Sequence, residues 1–139
     1  MGNNPRKTIQ LRNLILASIL GCLSVLLGAF GAHALKELLS AEALESYETG
    51  VRYMMIHSVV VLFLNVVPGL ESRTINFLSK VFFAGILLFS GSIFAISTGL
   101  VEARSIWFVT PLGGLLLVTG WLGMAVAFFK KANEEKPWK

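Results

Sequence analysis

The chain has 139 residues, of which 14% are charged and 55% are hydrophobic, and its mean hydropathy is +0.72. This composition is far too apolar for a small soluble domain, so it indicates a single domain embedded in a lipid bilayer. The net charge of +4 comes from short basic stretches, which argues against nucleic-acid binding and predicts contact with membrane lipids instead.

Four apolar runs follow one another along the chain, and each is long enough to cross a hydrocarbon core of about 30 Å as a helix. They predict transmembrane helices at residues 10–36, 41–67, 77–99 and 107–130. Residues 1–9 are expected to form a disordered cytoplasmic tail, and residues 131–139 a basic cytoplasmic tail. Because the connections are short, consecutive helices must be antiparallel neighbours. The predicted fold is therefore an all-α membrane protein with four transmembrane helices in an up-down bundle.

The first apolar run follows a basic segment and ends in Ala32-His33-Ala34, which resembles a signal-peptidase site. The uncharged stretch from Leu14 to Ala32 is longer than a usual signal core, however. We therefore expect a retained helix and no cleaved signal peptide.

The second helix has a recognisable start and end. Ser40 is the predicted N-cap, with Glu42 favourably placed in the first turn, and Pro68-Gly69 ends the element. Residues 41–52 are amphipathic, whereas the rest of the run is apolar. The pattern leaves open whether residues 41–52 lie flat at the membrane interface or continue into helix 2.

Lysine and arginine residues are distributed unevenly between the two sides of the membrane. Nine lie on the side of the termini: Arg6, Lys7, Arg12, Arg73, Lys80, Lys130, Lys131, Lys136 and Lys139. Three lie on the other side: Lys36, Arg52 and Arg104. Since basic residues accumulate on the cytoplasmic side, we expect a multi-pass protein of the inner (plasma) membrane with both termini in the cytoplasm.

Small residues recur at helical spacing in three of the runs. They are Ser24, Gly28 and Ala32 in helix 1, Gly91 and Ala95 in helix 3, and Gly113 and Gly120 in helix 4. Helices in lipid associate where small side chains allow close backbone approach, so these residues are predicted helix-packing positions. The alternative is that they allow the close approach of a lipid or cofactor.

Three polar side chains near the outer ends of helices 1 and 2 form a candidate polar site: His33, Tyr53 and His57. Such groups at membrane depth can relay a proton or bind a ligand, or each imidazole can simply bond to a neighbouring helix. Two histidines without a third ligand are insufficient for a usual metal site, and haem ligation rests on the same weak signal, so no metal or cofactor is predicted. No catalytic motif such as G-x-S-x-G, a P-loop or HExxH occurs, so catalytic residues are not assigned.

Several of these segments together resemble one family over nearly the whole chain. They are the run Gly28–Leu35, the segment from Tyr47 to Tyr53 with His57, Phe89–Ser92, Thr110–Gly114 and Gly120-Trp121. This combination is similar to the small four-helix membrane proteins grouped as DUF 423, which include transmembrane protein 256. The resemblance implies an integral four-helix protein and carries over no established activity.

Three hypotheses for the function remain open at this point. The first is a structural or accessory subunit that packs against a larger membrane complex or a copy of itself through its small-residue faces. The second is a small transporter, channel or ligand-binding protein that uses His33, Tyr53 and His57. The third is a membrane enzyme acting on lipid or quinone, which has the least support from the sequence.

Overall fold

The computed structural model describes residues 5–134, with side chains from residue 7. Its four long helices are α1 (Pro5–His33), α2 (Ala41–Val66), α3 (Ser72–Ser97) and α4 (Val109–Glu134). Short 3-10 turns at Leu35–Glu37 and Ala103–Ser105 lie in the connections, and the described residues contain no strand. All four helices are long and apolar enough to cross a membrane, which confirms the predicted all-α, four-helix fold.

Three helices extend beyond the apolar runs that predicted them. The expected disordered tail 1–9 is helical from Pro5, while residues 1–4 lie outside the described residues. Helix α3 begins at Ser72 rather than at residue 77, and α4 continues past residue 130 to Glu134; residues 135–139 are again outside the described part. An apolar run marks only the part of a helix that hydrocarbon surrounds, whereas backbone hydrogen bonding continues into polar segments.

Helix α2 begins at the predicted cap and is continuous. The backbone N–H of Ala43 donates to Ser40 Oγ at 3.2 Å, which confirms Ser40 as the N-cap. The helix runs without interruption to Val66, so residues 41–52 are its first three turns. Beyond it the backbone is extended at Val67, and Gly69 follows Pro68 with a φ of +88°, a conformation that glycine adopts readily.

The helices are arranged as a central pair with one helix on each side. Helices α2 and α3 pack against each other, α1 packs on α2 and less on α3, and α4 packs mainly on α3. In the most apolar window of each helix, 44% of the residues are buried in α2 and 39% in α3, against 17% in α1 and 22% in α4. The two outer helices therefore expose most of their surface to lipid.

The antiparallel order gives the bundle two chemically different ends. We call the end with the start of α1, the α2–α3 turn and the end of α4 the terminal end, and the opposite one the loop end. The described basic residues at or near the terminal end are Lys7, Arg12, Arg73, Lys80, Lys130 and Lys131, and those at the loop end are Lys36, Arg52 and Arg104. The fold thus places these two groups of basic residues at opposite ends of the bundle, as the up-down order requires. The cytoplasmic location of the termini stays a prediction.

Candidate functional site

A group of aromatic side chains surrounds a buried histidine where α2, α3 and α4 meet. Only 5% of His57 is exposed. Its Nδ1 lies 2.7 Å from the carbonyl oxygen of Tyr53, one turn earlier in α2, and Trp121 Nε1 of α4 lies 3.2 Å from its Nε2. We refer to Tyr53, His57, Phe82, Phe89 and Trp121 as the aromatic cluster.

The two hydrogen bonds determine which ring nitrogen of His57 carries a hydrogen. A carbonyl oxygen can only accept, so Nδ1 must donate to Tyr53, and an indole N–H can only donate, so Nε2 must accept from Trp121. This arrangement requires the neutral imidazole with its hydrogen on Nδ1. A doubly protonated ring would leave the Trp121 N–H without its acceptor.

The other rings of the cluster shield this pair. The ring centroids of Tyr53 and Phe89 are 4.5 Å apart, those of His57 and Phe82 are 5.9 Å apart, and Trp121 meets Phe82 edge-on at 6.2 Å. These spacings are typical of favourable aromatic pairs. Tyr53 and Trp121 remain 40% and 46% exposed, so they form the rim of the cluster and His57 forms its floor.

Glycines on α4 bring Trp121 within reach of His57. A Cβ at Gly120 would lie 2.7 Å from the ring of Phe82, and a Cβ at Gly113 would lie 2.7 Å from the Cα of Phe89. Because both positions lack a side chain, the backbone of α4 lies directly on α3. The close crossing places the residue after Gly120 beside the α2 histidine.

The structure brings two of the three predicted polar-site residues together. The rings of Tyr53 and His57 are 5.7 Å apart, whereas His33 is exposed at the end of α1. The Oγ of Ser24 lies 3.5 Å from the Sδ of Met55, which aligns α1 with α2 at that level. At 1.5 Å per residue along the two helices, His33 lies about 16 Å nearer the loop end than His57.

The predicted packing residues divide into those that touch another helix and those that do not. Ser24 is buried, a Cβ at Gly28 would lie 3.4 Å from Val51, and Gly113 and Gly120 lie against α3 as described above. By contrast, Ala32 is exposed, Ala95 is half-buried, and a Cβ at Gly91 would meet no atom within 4 Å.

Several glycines outside the predicted packing positions also make close contacts. A Cβ at Gly31 would lie 2.9 Å from the ring of Tyr47, and one at Gly85 would lie 2.6 Å from Leu117. Regular spacing indicates that small residues share a helix face, but the position of the neighbouring helix decides which of them are covered.

A buried polar triad ties the first three helices together at the terminal end. Asn13 Nδ2 of α1 donates to Asn65 Oδ1 of α2 at 3.1 Å, and Asn65 Nδ2 donates to Ser79 Oγ of α3 at 2.9 Å and to the Val61 carbonyl at 2.9 Å. All three triad side chains are buried. The sequence reasoning did not select them, although an amide inside an apolar run was a usable signal.

Most of the buried polar side chains in the described interior are hydrogen-bonded, and Ser90 Oγ is buried without a hydrogen-bond partner. Among the described residues, no group of three or more His, Cys, Asp or Glu side chains is placed to hold a metal ion. The described His57 and Asn65 side chains use their donors and acceptors within the bundle. A cavity of about 780 Å³ does exist, but it lies between α3 and α4 at the terminal end and is not lined by His57 or Tyr53.

Residues 27–114 match a protein family that is described as a protein of unknown function, DUF423. The matched range includes His57, Phe82, Phe89 and Gly113 and ends before Trp121. A UPF0382 membrane protein of Staphylococcus saprophyticus is 36% identical over 117 residues, which cover 84% of this chain and 96% of the relative. A UPF0382 membrane protein of Haemophilus influenzae is 36% identical over 122 residues, or 86% of this chain and 95% of the relative. No solved structure matches the chain.

Proposed function

This chain belongs to the DUF423 family of membrane proteins, and we propose that it is a structural or accessory subunit that packs against a larger inner-membrane complex or a second copy of itself. In this proposal both termini lie in the cytoplasm. The nine-to-three distribution of basic residues over the two sides supports that orientation. The interaction takes place within the membrane, through the surface of α1.

The observation that carries the proposal is the outer position of α1. Only 17% of its most apolar window is buried, because α1 contacts α2 and part of α3 and leaves the rest of its circumference open. The open side includes four small residues, Ser18, Cys22, Ala29 and Ala32, all exposed. Another transmembrane helix can approach such a surface closely, which is how helices associate when both are already surrounded by lipid.

The filled interior supports the same function. The triad and the His57–Trp121 pair form their hydrogen bonds inside the bundle, so the described helices are held in one arrangement with α1 outermost. A transporter, channel or ligand-binding function has less support, because His33 lies about 16 Å from the level of His57 by helix rise.

The position of the single cysteine provides the experiment. Cys22 is exposed on α1, so a photoreactive benzoylphenylalanine placed at this position can be crosslinked in native membranes to whatever lies against it, without a thiolate, which the hydrocarbon core suppresses. We expect one dominant adduct, either at twice the chain mass of 15.2 kDa or with another membrane protein that mass spectrometry identifies. Cys22→Ser, which carries no photoreactive group, is the control.

A matched pair of substitutions tests whether the outer surface of α1 is responsible. Ala29→Leu enlarges the face that carries Cys22, and Ala125→Leu makes the same change on exposed α4. We expect Ala29→Leu to abolish the adduct and Ala125→Leu to leave it, with equal thermal stability of both variants in detergent. A protein without either leucine substitution that crosslinks only to lipid, or equal loss in both variants, would contradict the proposal.

A further inference from the structure

A groove between α3 and α4 opens at the terminal end of the bundle. Its volume is about 780 Å³. Arg73 and Phe77 line it on α3, and Leu122, Val126 and Lys130 line it on α4. We call it the interfacial groove, because it begins among charged residues at the helix ends and continues down into the apolar part of the bundle.

The lower part of the groove has the surface and the length of a lipid chain. Phe77, Leu122 and Val126 line this part, and each is more than half exposed. Gly123 lies at the bottom of the groove, where a Cβ would lie 2.5 Å from Leu78, so the absence of a side chain there leaves the groove open. The lining extends along α4 from Lys130 to Thr119, eleven residues or about 16 Å at 1.5 Å per residue. Half of a hydrocarbon core of about 30 Å is about 15 Å, the depth of one leaflet.

The upper part of the groove carries a net positive charge. Arg73, Lys130 and Lys131 line it together with Glu71 and Glu134. The stem of Lys131 lies against Gly69, where a Cβ would approach its Cε to 2.5 Å. Three cations against two carboxylates at the helix ends favour an anionic group at the level of the lipid headgroups.

We propose that the interfacial groove binds one anionic phospholipid. The phosphate lies between Arg73 and Lys130, and one acyl chain runs between α3 and α4 toward Thr119. A soluble anion would match the cations but would leave the leaflet-long apolar walls unused, whereas a phospholipid matches both parts. This proposal is independent of the accessory role of α1, which concerns the opposite side of the bundle.

Native mass spectrometry of the full chain, released from vesicles of equal parts phosphatidylglycerol and phosphatidylcholine, tests the proposal. We expect the wild-type protein to retain one phosphatidylglycerol in preference to phosphatidylcholine. Arg73→Gln combined with Lys130→Gln should lower this preference by more than about tenfold, since each basic residue near a membrane surface contributes about fivefold. The matched control, Arg52→Gln with Arg104→Gln, removes the same charge at the loop end and should leave the preference unchanged.

A third variant tests the apolar walls of the groove independently of its charged residues. Ala127→Leu adds volume to the lining while keeping every basic residue, so it should reduce retention of the lipid as well. Equal retention of both lipids by the wild-type protein would overturn the proposal. So would equal losses in the two charge variants, or full retention by Ala127→Leu.

Discussion

The crossing of α3 and α4 at Gly113 predicts a strong effect of a single methyl group. A Cβ at this position would lie 2.7 Å from the Cα of Phe89 and 2.8 Å from the carbonyl carbon of Leu88, and closer still to the Phe89 amide nitrogen. These are backbone atoms, so no rotamer change relieves the contact. Carbon atoms prefer separations of about 3.5–4.0 Å, and α4 would therefore have to move by about 1 Å.

The next residue of the same helix provides the control. A Cβ at Gly114 would lie 3.6 Å from the nearest ring atom of Phe89, which is an ordinary contact. Overpacking lowers the free energy of unfolding by about 1–3 kcal/mol, whereas replacing glycine by alanine in a helix raises it by up to about 1 kcal/mol. We therefore expect Gly113→Ala to lower the free energy of unfolding by about 1–2 kcal/mol, and Gly114→Ala to leave it unchanged or raise it by up to about 1 kcal/mol.

The assay is unfolding by titration with SDS from mild detergent micelles, followed by tryptophan fluorescence. Trp121 is a suitable reporter because its indole ring meets Phe82 of α3 edge-on at 6.2 Å, across the same helix pair. If Gly113→Ala were as stable as the wild-type protein, or if Gly114→Ala were the less stable of the two, the close α3–α4 crossing would be refuted.

Three further predictions concern the polar groups and the topology. Asn65→Ala should lower the free energy of unfolding by about 1–2 kcal/mol in the same titration, because it removes the central side chain of the triad. Asn13→Ala removes only one hydrogen bond of the triad, so it should lower the free energy of unfolding by less. Equal losses in the two variants would contradict this arrangement. In ¹⁵N NMR spectra, the wild-type His57 should show a hydrogen on Nδ1 and an accepting Nε2, and Trp121→Phe should change the Nε2 shift while keeping the Nδ1 hydrogen; an unchanged spectrum would rule out the indole bond. A reporter fused after Lys139 should be active in its cytoplasmic form only, and activity outside the cytoplasm would reverse the predicted orientation.

Local chemistry explains the features that were predictable from the sequence. Four uncharged runs of membrane length specify four helices, because about 20 apolar residues match a spanning helix, which pairs its backbone polar groups within its own segment in lipid. Ser40 and Pro68 act on the residues next to them, so the start of α2 and the turn after it follow from the order of residues alone. The short connections require the antiparallel order.

The complete candidate site could not be predicted from the sequence, because it depends on how the helices pack against one another. The spacing of Tyr53 and His57 places them on one face of α2, but Trp121 lies 64 residues away from His57 and reaches it only because α4 packs closely on α3. The triad is similar, since Asn13 and Asn65 are 52 residues apart. Nothing in the local sequence of either residue specifies its partner.

The sequence by itself determined the number of helices, their order and the separation of charge between the two ends of the bundle, because these depend on hydropathy, loop length and local capping. The tertiary structure alone decided that Gly113 lies against a neighbouring backbone while Gly91 faces open space, and that His33 stands apart from His57. A helical repeat specifies which residues share a face. Which face another helix covers, and at what height, depends on how all four helices pack together.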